Sequence, residues 1–195
     1  NLETIVGHTT LSTGAFPSAH GMVANVWLDR ETGELGYAVE DDQYDIIGAM
    51  VDAGKKNELD HTQAAARTDG RSPRAILVST FSDELAVHTA GRAKIFGVSV
   101  KDRGAISMAG HAGKAFWYST NTGDFVTSTY YYDAYPDWVT QWNDQRKGEG
   151  YAGKSWSLLN NATTYLLTDQ DDRPYEADLR GYGRVFPPSF REGRR

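Results

Sequence analysis

The chain has no cysteine, so disulfides, thiolate nucleophiles and cysteine metal ligands play no part in its chemistry. That absence does not fix a redox compartment. Positive charge is also short: 20 Lys and Arg stand against 26 Asp and Glu, a formal net charge of -6. A broad basic surface of the kind that holds nucleic acid by releasing counterions needs the opposite balance, so no nucleic-acid partner is expected. A small anionic ligand is not excluded, because it needs only a local cluster of cations. No stretch approaches the roughly 18 apolar residues of a membrane span. A charged n-region and apolar h-region are missing at Asn1, so no signal peptide is visible; that means nothing if the chain begins inside a longer protein. What remains is 195 residues with 39% hydrophobic and 12% aromatic content and a mean hydropathy of -0.55, enough for one ordinary domain with a real core.

The small polar run from Gly7 to Gly14 suits a strand-to-helix junction and a short helix whose first amides stay open. Pro17 should stop it, leaving Phe16 to Gly21 as a turn. Val23 to Leu28 reads as a strand, with a turn at Thr32-Gly33. Residues Glu40 to Gly70 are polar and weakly periodic, and we expect a surface loop with one short helix. Ser72-Pro73 has the form of a helix start, serine as N-cap and proline at the first helical position, and a second helix is expected over Asp83 to Thr89. Ile95 to Val100 is the apolar run of a covered parallel strand. Asn121-Thr122-Gly123-Asp124 is a hairpin signal between Phe116–Ser119 and Phe125–Tyr132. Pro136 opens an amphipathic helix carrying Trp138, Val139 and Trp142, and beyond Gly148 the pattern weakens into irregular chain. No internal repeat or domain boundary is evident, and the mixture favours α/β over all-β.

Three short segments carry candidate chemistry. Thr4 stands before Gly7-His8; a threonine hydroxyl becomes a useful nucleophile only when a metal or base lowers its pKa, and a helix N-terminus helps to hold an incoming anion. Asn25 lies in Gly21-Met22-Val23-Ala24-Asn25-Val26-Trp27. Lys101 and Arg103 follow the apolar strand in Ser99-Val100-Lys101-Asp102-Arg103-Gly104. On an extended segment their side chains would share one side and emerge at the strand's carboxyl end, where open α/β sheets place ligands. Lysine offers a compact charge and arginine a planar fork matched to phosphate oxygens. Taken singly, each has a plain structural reading as a cap, a turn residue or a solvated strand end.

Taken in order, the three segments resemble the threonine-nucleophile branch of the alkaline phosphatase superfamily, the PafA-type monoesterases. Thr4-Ile5-Val6-Gly7-His8 keeps the branch's spacing, with Val6 where the family usually has proline. The likeness extends through Thr10-Leu11-Ser12-Thr13-Gly14 to Trp27 and, farther on, through Gly110-His111-Ala112 and Phe116-Trp117-Tyr118. It covers residues 4–30 and 72–142.

The resemblance implies an α/β, alkaline-phosphatase-like mixed sheet flanked by helices, incomplete in this chain. Residues 1–195 would form part of a catalytic domain, with a monoesterase-type insertion around 72–145. It implies zinc-dependent hydrolysis of small phosphate monoesters through a phosphothreonine intermediate. Thr4 would be nucleophile and ligand to one of two zinc ions, and Asn25, Lys101 and Arg103 would bind the non-bridging oxygens. A monoester carries two negative charges there and a diester one, so the cationic pair rewards the dianion. It further implies a periplasmic or secreted setting. The family's remaining zinc ligands lie outside this stretch, and each zinc needs about four, so poor zinc binding and slow turnover, if any, are expected of the chain by itself. The rival readings are a phosphodiesterase or nucleotide pyrophosphatase of the same superfamily, and a non-catalytic binding module.

Other polar groups read as structural. Asp60-His61 mimics a ligand pair, and Glu84 with His88 has helical spacing, but both fall where the family has no ligands. His8, His20 and His111 receive no metal role. Asp169, Asp171 and Asp172 fit no calcium loop well, and Asn161-Ala162-Thr163 is a glycosylation sequon only in form. Tyr130-Tyr131-Tyr132, Tyr135, Trp138 and Trp142 could form a sugar-binding face, with core packing the better reading.

Overall fold

The computed structural model describes residues 3–48, 61–166, 171–176, 178 and 183–185. The chain divides into two compact units, Asn1–Asp144 and Gln145–Arg195. In the first, helices α1 (Thr4–Thr13) and α2 (Pro17–His20) are followed by strands β1 (Val26–Leu28), β2 (Leu35–Tyr37) and β3 (Ile46–Ile47). Then come α3 (His61–Ala64), α4 (Phe81–His88), β4 (Phe96–Ser99), α5 (Asp102–Ala109), β5 (Lys114–Tyr118), β6 (Phe125–Ser128) and α6 (Asp137–Asp144).

β1 and β2 form an antiparallel pair, and the other strands make a mixed sheet in the order β3-β6-β5-β4. Its one parallel pair, β4 with β5, is joined through α5, the crossover that parallel strands require. The Asn121–Asp124 turn behaves as its chemistry suggests. Ser119 N–H reaches Asp124 O at 2.8 Å, and Gly123 takes φ 78°, a value that glycine adopts without a Cβ penalty.

Alternation along β5 sorts the core. Ala115 and Trp117 belong to the cluster of Ile5, Val6, Met22, Tyr37, Ile106 and Val126, while Phe116 meets Tyr132 and Trp138 instead. Helix α5 packs on β4, β5 and α1 with seven residues buried. Gly97 permits that approach, since a Cβ there would collide with the Ala105 carbonyl.

Several expectations change. Helix α1 ends at Gly14, in the left-handed region, and Pro17 opens α2 rather than stopping α1. Ser72-Pro73 makes a single turn, not a helix. The Ser72 hydroxyl donates to Asp41 at 2.7 Å and its N–H to Val39 O at 3.1 Å, so the serine ties two loops together. The second helix, expected over Asp83 to Thr89, is present and runs Phe81–His88, opened by a capping box of Thr80 and Asp83. The apolar run before Lys101 is an edge strand whose Phe96 and Val98 are exposed, not a covered one. β2 was not expected, and neither was β3, whose two residues are too short to show a period of two. α3 matches the short helix expected in the Glu40–Gly70 region, of which residues 49–60, Asp60 among them, fall outside the described ones. In the second unit the described residues hold two 3-10 turns, Lys147–Tyr151 and Ala162–Thr164, in keeping with the irregular chain expected there.

Candidate active site

Thr4 occupies the first position of α1 and is exposed. The N-cap, Glu3, makes no side-chain cap bond; its carboxylate instead accepts the Asn25 backbone N–H. The Asn25 side chain answers from the other direction, its Oδ1 accepting from Ile5 N–H at 3.1 Å. Only the oxygen of an amide can accept, so this contact fixes which way Asn25 faces and leaves Nδ2 as its donating end. A side chain from twenty residues away thus caps the helix that Thr4 begins. His8 closes the same turn, Nδ1 donating to Thr4 O at 2.8 Å.

The second half sits where β4 gives way to α5. Lys101 is the N-cap, again without a side-chain cap bond, and Asp102 and Arg103 are the first two helical residues. The sequence placed Lys101 and Arg103 on extended backbone; the structure bends them into a helix N-terminus, still at the carboxyl end of the strand. Arg103 is 6% exposed, and its Nη1 donates to the Tyr37 hydroxyl at 3.2 Å. That hydroxyl donates to Asp102 Oδ1 at 2.6 Å, and Arg71 Nε donates to Asp102 Oδ2 at 2.7 Å. Burial first, and then the Asp102 charge, push the Tyr37 phenol far above its ordinary pKa, so it remains a donor across the working pH range.

The two halves are stitched by the β1–β2 pair. Tyr37 lies opposite Val26, and Ala38 N–H donates to Asn25 O at 3.0 Å. Asn25, which holds one helix start, is therefore a short step from Tyr37, which holds Arg103 at the other. A helix N-terminus favours anions, and two of them bearing an amide donor, an ammonium and a guanidinium make a setting suited to a small oxyanion.

The remaining candidates take structural places. His20 is buried, its Nδ1 accepting from Met22 N–H at 3.1 Å and its Nε2 paired with the Thr10 hydroxyl at 3.0 Å; burial lowers its pKa. His111 bonds Asp83 at 2.9 Å and Ile76 O at 3.0 Å. Glu84 and His88 are exposed on α4. Among the described residues no group of three or more His, Asp or Glu could hold a metal ion. The tyrosine run packs inward: Tyr131 is buried, the Tyr130 hydroxyl donates to His111 O at 3.1 Å, and Tyr135 donates to Ile47 O at 2.6 Å. Asn161 accepts from Thr163 N–H, Asp172 pairs with Arg184 at 2.7 Å, and Asp169 lies outside the described residues. Sequence reasoning passed over Tyr37, Arg71 and Asp102. A carboxylate set between Lys101 and Arg103 was the one available hint.

Comparison with known proteins places this geometry. The family model for type I phosphodiesterase / nucleotide pyrophosphatase matches residues 1–179. The chain is 36% identical over 191 residues to alkaline phosphatase PhoV of Synechococcus elongatus, covering 97% of this chain and 32% of that protein. It is 34% identical to a protein of Myroides odoratus named calcium-transporting ATPase, covering 91% of this chain and 30% of the other. Alkaline phosphatase PafA of Elizabethkingia meningoseptica is 32% identical over 96% of this chain and 31% of its own length. The wild-type PafA crystal structure superposes with a TM-score of 0.77 over 96% of this chain and 33% of PafA, and a second crystal structure, with one threonine replaced by serine and an asparagine, a lysine and an arginine replaced by alanine, gives 0.78. The chain thus spans about a third of the relatives it matches. With the family model covering nearly the whole chain and the mixed α/β fold shared with PafA, the chain belongs to the type I phosphodiesterase / nucleotide pyrophosphatase family.

Proposed function

We propose that this chain carries the nucleophile and the oxyanion contacts of a phosphate monoester hydrolase. The observation that carries the reading is the bond from Ile5 N–H to Asn25 Oδ1, which sets a donating amide beside the first turn of the helix that Thr4 opens. The residue types support it. The threonine and asparagine altered in the PafA mutant stand as far apart as Thr4 and Asn25, and its lysine and arginine, like Lys101 and Arg103, are separated by one residue. Residues 72–145 would be the monoesterase-type insertion, and the setting periplasmic or secreted, as the alkaline phosphatase likeness implies.

In this reading the Thr4 oxygen attacks phosphorus. A bond forms between them, the bond to the leaving oxygen breaks, and the threonine proton ends on the released alcohol. Water then cleaves the phosphothreonine, returning the hydroxyl and releasing phosphate. Asn25, Lys101 and Arg103 bind the non-bridging oxygens through both steps, where preorganised donors matter most. Two zinc ions would lower the pKa of the attacking oxygen and stabilise the leaving one. The described residues, however, do not fit a closed centre for them, since Thr4 is joined by no cluster of His, Asp or Glu.

The test is hydrolysis of p-nitrophenyl phosphate by the chain with added zinc, beside Thr4→Ala and bis-p-nitrophenyl phosphate. Slow monoester turnover that vanishes in Thr4→Ala is the expected result. Turnover that survives Thr4→Ala would remove Thr4 as nucleophile. The name of the matching family favours a second reading, a diesterase, and a diester rate above the monoester rate would install it.

A further inference from the structure

We propose that Tyr37, Asp102 and Arg71 form a buried relay that holds the Arg103 guanidinium in one orientation, so that Tyr37 and Asp102 are positioning residues for oxyanion recognition. The purpose of that orientation rests on the phosphate reading above; the orientation itself does not.

A phenol has one hydrogen. Once Tyr37 donates it to Asp102, at 2.6 Å, the oxygen can only accept, and the donor it meets is Arg103 Nη1. The direction of the second bond is thus imposed from behind. Asp102 is itself held firmly. It is fully buried and takes Arg71 Nε on one oxygen and, on the other, the Arg103 backbone N–H at 2.7 Å besides the phenol. Arg71 is anchored in turn. Its Nη1 donates to the carbonyls of Thr68 and Gly70, both at 2.8 Å, its guanidinium lies 5.1 Å over the Tyr37 ring, and its carbonyl accepts from Ser128 Oγ at 2.6 Å. The bonds that join Arg71, Asp102, Tyr37 and Arg103 are all buried, where such bonds are stronger and less mobile than at the surface.

The arrangement also divides the charges. Asp102 is the chain neighbour of Arg103 and could have neutralised it. Arg71 supplies the countercharge instead, reaching across from another loop, while Arg103 meets only the neutral phenol of this relay through its side chain. Within the relay, Asp102 is thus matched by the Arg71 guanidinium rather than by that of Arg103.

Tyr37→Phe removes one hydroxyl and keeps the ring in the core. In 15N-labelled protein, the Arg103 side-chain signals should show hindered rotation about Nε–Cζ in the wild type and faster rotation in Tyr37→Phe. Tyr132→Phe, a ring outside the relay, should change nothing. Asp102→Asn, which weakens the acceptor behind Tyr37, should loosen Arg103 in the same way if it folds. Inorganic phosphate affinity should fall about tenfold in Tyr37→Phe, the order expected for a charge-assisted hydrogen bond, and Tyr37→Phe should have no further effect in an Arg103→Ala background. An Arg103 signal untouched by Tyr37→Phe would overturn the relay, and so would an affinity loss that persists without Arg103. If the wild type binds no phosphate, the functional reading falls, while the rotation measurement still decides the relay.

Discussion

Three helix starts in this molecule are built in two ways. Helix α4 closes its own N-terminus: the Thr80 hydroxyl accepts from Asp83 N–H at 3.2 Å and the Asp83 carboxylate accepts from Thr80 N–H at 2.8 Å. Helices α1 and α5 do not, because Glu3 and Lys101 contribute no side-chain cap. Those two ends are steadied from elsewhere in the chain, α1 by Asn25 and α5 through Asp102, which Arg71 and Tyr37 hold. The self-capped end has satisfied its leading donors with its own residues and has little to offer a ligand. The other two entrust their stability to distant partners and keep their first turns for Thr4, Lys101 and Arg103. On the phosphate reading proposed above, the difference would separate a helix start that serves the fold from two that serve a site.

The comparison breaks hardest at Asp102. Asp102→Ala leaves Arg71, 4% exposed, without its countercharge, and stripping one partner from a buried pair costs about 3–5 kcal/mol. Urea denaturation should show that loss as a lower midpoint with an unchanged slope. Replacing both members, as Arg71→Met with Asp102→Leu, should return much of the stability, since no charge is then stranded. It should not return the oriented Arg103. Stability and site would separate in one pair of variants.

Asn25 comes next. Asn25→Ala leaves the Ile5 N–H without its acceptor, and losing such a cap costs about 1–2 kcal/mol. Asn25→Asp sharpens the point. It keeps an oxygen for Ile5 and adds a negative charge at a helix N-terminus, which is favourable by about 0.3–1 kcal/mol. The stability should therefore hold while phosphate affinity collapses, because the donating amide has become a second anion. If phosphate affinity survives in Asn25→Asp, the contact serves only the fold.

How much of this could be read from residues follows the range of each interaction. The Asn121–Asp124 hairpin and the helix after Pro136 were legible because their determinants are local. Thr4, Asn25, Lys101 and Arg103 stood out as a set because each sits in a short recognisable segment. Their backbone was less legible. Lys101 and Arg103 were read as an extended segment following the strand, although Asp102 between them is a favourable first-turn residue. Ser72-Pro73 misled because its cap-like start does not propagate: the Ser72 hydroxyl accepts from Arg74 N–H at 3.1 Å while donating to Asp41 in another loop, and only a single turn follows. The relay could not be read at all. Tyr37 and Asp102 are 65 residues apart, and Arg71 and Asp102 are 31 apart, and no periodicity encodes a contact at that distance.

The smallest effect belongs to the self-capped helix, where it tests whether that cap depends on charge. Burial by itself would push the Asp83 carboxyl up. The bonds it accepts from His111, the amides of Thr80 and Ala112 and the Thr80 hydroxyl outweigh that, and its pKa lies below the ordinary value. A carboxyl depressed on folding stabilises the native state above its unfolded pKa of about 3.9. That contribution disappears as the pH falls through the folded value. Thr80→Ala removes one of the donors and the hydroxyl acceptor together, so it should cost about 1 kcal/mol near pH 7. The cost should shrink in acid, once Asp83 is protonated in wild type and variant alike. Urea midpoints at neutral pH and at a series of pH values falling well below the ordinary carboxylate range would read the difference. An equal cost throughout would mean that the Thr80 cap works as a neutral hydrogen bond, and that α4 differs from α1 only in where its acceptor comes from.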